Sequence, residues 1–110
     1  MKNISTPASL AGDAIALDTW RTLTAKVHKC YPQPDQIDLD NMERYCHYQS
    51  IYHAARADVA KNGAFLRADN GIAYKNPAMV VMHQSQGHLL KLGAKLHHLL
   101  DRPAGEPAMP

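Results

Sequence analysis

The side chains that could hold a metal or act as nucleophiles are seven histidines, Cys30 and Cys46, and the acid cluster Asp38, Asp40 and Glu43. Their spacing argues against each chemistry in turn. A zinc site needs several ligands converging on one point. His97 and His98 are adjacent, so on a helix their side chains diverge. Cys46 and His53 share a helical face at i, i+7 but stand about 10 Å apart along the axis. His47 and His83 have no ligand four residues further on. Cys46 and His47 are neighbours in sequence only, with no nucleophile signature around them. The three acids fall where a helix starts, and capping accounts for them without catalysis. There is no glycine-rich phosphate loop. The expectation is a chain with no metal, no cofactor and no enzymatic activity.

Cations remain. Lys91, Lys95 and His98 recur along one face of a helix and continue to Arg102; Arg21, Lys26 and Lys29 form a second group, and Arg67 with Lys75 a third. Each could meet phosphates, but for a single copy the plainer reading is a solvated surface. A formal charge of +2 is too small to demand nucleic acid by itself. A symmetric oligomer changes that, because it multiplies one modest basic face into a strong potential. With seven histidines the charge also becomes pH-dependent below about 6.5.

The elements that position these residues can be read in order. At 110 residues the chain is one small domain, and 45% hydrophobic content argues against wholesale disorder. Residues 1–12 are small and polar and are expected to be mobile. Asp13 is placed to cap a first helix on which Leu17, Trp20, Leu23, Val27 and Tyr31 form one apolar stripe. Pro32 and Pro34 end it. Their presence also removes the short glycine turn of a helix-turn-helix. Asp35 or Asp38 caps a second helix that runs free of proline and glycine to Asn62. On it Tyr45, Tyr48, Tyr52, Ala55 and Val59 make a heptad-like seam, widened by Met42 and Ala60. Asn41, Gln49 and Arg56 lie in or beside that arc and need partners if buried.

Asn62-Gly63 predicts a left-handed helix end. The period then changes: residues 65–68, Asp69-Asn70-Gly71 and residues 72–74 read as a β-hairpin with a type I′ Asn-Gly turn. A lone hairpin is marginal in water, so this one is expected to lie against helices or a neighbour. Asn76-Pro77 opens a third helix. There Val81, Met82, Leu89, Leu92, Leu96, Leu99 and Leu100 cover one side, extended by Met79, Leu90 and Gly93. This arc is wider than the ~100° stripe that faces a single core. Gln84, His88, Lys91, Lys95 and His98 take the other side. Residues 101–110 hold three prolines and a glycine and read as a disordered tail. No stretch approaches the ~20 apolar residues of a membrane span, and none resembles a signal peptide. A cytosolic chain with reduced, part-buried cysteines is expected. The fold class expected is mainly α: three helices with a short β-hairpin between the second and third.

Several of these runs occur together in a known arrangement. Trp20-Arg21-x-Leu23, Asp40-x-Met42-Glu43-x-Tyr45-Cys46, Tyr52-x-x-Ala55 and Asn62-Gly63 are followed by Asn70-Gly71-x-x-Tyr74-Lys75-Asn76-Pro77-Ala78, then by a long helix with Leu89, Leu92 and Leu96. In order and spacing, residues 17–100 resemble the small subunit of tailed-phage terminases. The resemblance implies a non-enzymatic part of the viral DNA-packaging motor, assembled as a ring-like homo-oligomer in the cytoplasm of the infected bacterial host. It implies recognition of double-stranded viral DNA and regulation of a large subunit that carries ATPase and nuclease activities. Residues 13–100 would then be a helical oligomerisation domain. Tyr45, Tyr48, Tyr52, Arg56, Phe65, Ile72, Leu89, Leu92 and Leu96 would supply core and subunit contacts. Unlike many such proteins, the chain carries no evident separate DNA-binding domain and no strongly basic segment. The residues alone also allow a small helical oligomeric adaptor, or a DNA-binding regulator unrelated to packaging.

Overall fold

The computed structural model describes residues 4–30 and 33–100. Tyr31, Pro32, the tail at 101–110 and Arg102 within it lie outside the described residues. The elements are a 3-10 turn (Ala8–Leu10), α1 (Ala14–Cys30), α2 (Gln36–Asn62), β1 (Phe65–Arg67), β2 (Ala73–Lys75) and α3 (Pro77–Leu100). This is the expected mainly helical order, with the two-stranded antiparallel hairpin between the second and third helices.

Local chemistry sets each boundary. Asp13 caps α1 by accepting the Ala16 N–H at 3.0 Å. Both candidate caps of α2 take part, as a reciprocal box: Asp35 accepts the Asp38 N–H at 2.8 Å and Asp38 accepts the Asp35 N–H at 3.1 Å. The α2 helix ends at Gly63, whose N–H still reaches Val59 O at 2.8 Å. The left-handed ending is corrected here. Gly63 has φ 91° but ψ 166°, an extended, essentially glycine-only conformation that sends the chain straight into β1. The hairpin turn is corrected too. Only Gly71, at φ 84°, is left-handed, while Asp69 and Asn70 keep negative φ. The Gly71 N–H bonds Ala68 O (2.9 Å) and the Ala68 N–H bonds Ile72 O (3.0 Å). That is a three-residue loop with a glycine bulge, not a two-residue I′ turn.

The core is built from α1, both long helices and the 3-10 turn. Ala16, Trp20, Leu23 and Val27 of α1 meet Met42 and Cys46 of α2, Leu96 and Leu99 of α3, and Leu10. Leu10 comes from the stretch expected to be mobile. Its turn is tied down where Ser9 Oγ donates to Glu43 and contacts His47 Nε2 at 3.1 Å. Because α1 and α3 both cover α2, its buried positions include Met42, which widens the tyrosine seam as expected, and extend beyond that seam to Cys46. Ala60, expected to widen that seam, is exposed.

The α1 helix begins beside Ser50, whose hydroxyl donates to Asp13 at 2.8 Å. Among the described residues no third helix covers α2 and α3 past His53. From 54 to 82 the buried residues are Ala55 and Asn76 alone among those described. The molecule is accordingly a rod of 62 × 26 × 20 Å. Its radius of gyration is 17.6 Å, against about 13 Å for a compact chain of this length.

Candidate nucleic-acid interface and assembly surfaces

The junction of α2, the hairpin and α3 is organised by one buried side chain. Asn76 Oδ1 accepts the Ala78 N–H at 3.0 Å, capping α3 as the sequence predicts. Its Nδ2 donates to Asp58 Oδ1 (3.0 Å) and to Gly63 O (2.9 Å), and its own N–H to Ala64 O (2.8 Å). Asp58 also accepts from Asn62, and these amide bonds hold its carboxyl below the ordinary 3.8. The arm is thus pinned at its base while its outer surface stays open. Phe65 is 68% exposed and Ile72 64%.

The expected interface residues divide. Phe65, Ile72 and Arg56 are exposed, and Tyr48, Tyr52 and Leu89 are half-buried. Tyr45, also half-buried, packs on the core. Leu92 and Leu96 are in the intrachain interior, so they hold the rod together and have almost no surface to offer a neighbour. Tyr48 stacks on His88 with centroids 4.4 Å apart. The polar arc of α3 therefore wraps partly onto α2, contrary to the simple wheel. His98 shows the same bend, with Nε2 3.4 Å from Asp38. Lys91 and Lys95 remain exposed on α3, and Arg21, Lys26 and Lys29 on α1.

One grouping escaped the sequence because its members lie 34 and 38 positions apart. Ser9, Glu43 and His47 come together as if for hydroxyl activation. The hydroxyl donates to the Glu43 carboxylate rather than to the imidazole, so the histidine is not placed as its general base. The trio fastens the 3-10 turn to α2. Cys46 offers no nucleophile either: burial pushes its thiol up to about 12. Among the described residues no group of three or more histidines, cysteines or acids could hold a metal. No described helix is long and apolar enough to cross a membrane.

Residues 16–97, from the first turn of α1 to the last turn of α3, match the sequence model of the phage terminase small subunit. The chain belongs to the phage terminase small-subunit family. It is therefore a component of viral DNA packaging, and its family is non-catalytic. Membership implies a large terminase partner and DNA. No curated protein and no solved structure matches this small subunit.

Proposed function

We propose that this small terminase subunit assembles through residues 13–100 into a ring of identical copies. The ring binds double-stranded viral DNA on its pooled basic faces and regulates the large subunit's ATPase and nuclease in the cytoplasm of the infected bacterium. The observation that carries the reading is the uncovered arm, where Phe65, Ile72, Tyr74, Val80 and Val81 are all exposed beyond the last helix that could bury them. A monomeric chain that leaves such apolar surface in water invites a partner. Each copy supplies Lys91 and Lys95 on one helix and Arg21, Lys26 and Lys29 on another, so repetition around a ring builds the potential that one chain lacks.

Light scattering tests assembly. Several copies at micromolar concentration are expected, and a monomer there overturns the reading. For DNA, affinity should fall steeply with salt as bound phosphates release counterions. Lys91→Glu with Lys95→Glu should weaken binding and flatten that dependence while the ring persists. Unchanged affinity in an intact ring removes the α3 face from the DNA site.

A further inference from the structure

We propose that the outward face of the β-hairpin of one copy seats in an acidic groove at the opposite end of another copy. The inference rests on the self-assembly reading above and specifies its contact. The pairing register puts Phe65 opposite Lys75 and Arg67 opposite Ala73, so these four share one face of the two-stranded sheet, and all four are exposed. Leu66 and Tyr74 occupy the other face, where Leu66 is half-buried. One side of the hairpin therefore presents an aromatic ring flanked by two cations.

The complementary surface lies among the 3-10 turn's leading residues, α1 and the start of α2. A groove of about 640 Å³ has apolar walls from Ile4, Pro7, Trp20 and Leu39, and carries Asp40 and Glu43. No cation is among its described lining residues. That volume is in the range that accepts a ring-bearing ligand. Asp40 is exposed and Glu43 half-buried, so both carboxylates can meet an incoming charge while the walls meet the ring.

The two surfaces cannot meet within one chain. Nineteen residues of helix separate Glu43 from Asn62, about 28 Å of rise at 1.5 Å per residue. Apolar with basic at one end and apolar with acidic at the other describes a contact between copies. Because the two patches differ, the contact is heterologous and propagates unless it closes. It closes as a ring, or as an antiparallel pair in which each copy reciprocates.

The test uses the full chain and sedimentation or light scattering, with far-UV circular dichroism to show retained helix. Phe65→Ala should weaken self-association at least about 30-fold, as loss of a buried aromatic anchor does. Lys75→Glu and Asp40→Lys should each weaken it about tenfold, and the two together in one chain should restore most of it, because the reversed charges again attract. A dimer obeying this pattern supports the contact while overturning the ring. An assembly of unchanged size and strength in all three single variants overturns the contact and leaves the ring reading standing. Weakening in the single variants with no recovery in the double variant also overturns it, since both sites then act separately. A wild-type monomer at micromolar concentration overturns both.

Discussion

At the scale of single residues, Asn76 is where local and long-range chemistry meet. Its cap on α3 is a matter of neighbouring residues, and the Asn-Pro pair announces it. Its Nδ2 bonds to Gly63 and Asp58 span 13 and 18 positions, and no spacing rule anticipates them. Asn76→Ala should destabilise the chain by about 1–2 kcal/mol, chiefly through the lost cap, because its two acceptors, the exposed Asp58 carboxylate and the half-buried Gly63 carbonyl, can turn to water. Urea denaturation followed by circular dichroism measures it. Asp58 and Asp13 give the pH dependence. Amide bonds from Asn76 and Asn62 lower the first, and the Ser50 hydroxyl and Ala16 N–H lower the second. A carboxyl whose folded value is depressed binds its proton less readily than in the unfolded chain, so its stabilisation is present above 3.8 and is lost as pH falls through the lowered value. Melting temperature should therefore drop below about pH 4, and Asp58→Ala should make that acid decline shallower.

At the scale of elements, the helices were legible because their stripes and stops are written locally. Of the expected α1 stripe, Trp20, Leu23 and Val27 are buried and Leu17 is half-buried, while Ala16, outside that stripe, joins the core. The α2 helix was harder. It packs on α1 along one side and α3 along another, so Met42 and Cys46 join the core and the tyrosines become the margin of two contacts. No single period encodes a helix with two buried sides. The Asn-Gly signal located the hairpin but gave the wrong turn, because a type I turn with a glycine bulge uses the same residues with positive φ at only one of them. The distinction is measurable. Gly71→Ala should cost about 1 kcal/mol from backbone strain alone, since a methyl group there would meet nothing within 4 Å. Asn70→Ala keeps a backbone angle that alanine adopts freely and should cost only the Oδ1 bond to the Ile72 N–H, about 0.5–1 kcal/mol, whereas a I′ turn would add left-handed strain there. Thermal melts of the two variants separate these cases.

At the scale of the whole molecule, the rod is stabilised unevenly. One end has a three-helix core closed by Leu10, and the other is a helix pair with a hairpin and almost no interior. If copies cover the arm, folding and assembly are linked, and the unfolding temperature should rise with protein concentration. Scanning calorimetry across a hundredfold concentration range checks this; a constant midpoint shows that the arm stays bare. The basic residues belong to this scale as well. On the proposed assembly, Lys91 and Lys95 would act through repetition from copy to copy, because two charges on one rod are screened within about 8–10 Å at physiological salt.

The sequence by itself determined the number and order of the helices, the place of the hairpin and the residues that cap the helix starts. Each of these is decided by residues within a few positions of one another, where helical and strand periods act. The tertiary structure decided what a one-dimensional pattern cannot hold. It showed which side of α2 meets which partner, and that Leu92 and Leu96 stay inside while Phe65 and Ile72 remain outside. It also tied Ser9 to Glu43 and left an acidic groove at the far end from a basic hairpin. Those facts depend on how far α1 reaches along two longer helices, a matter of lengths and packing in space.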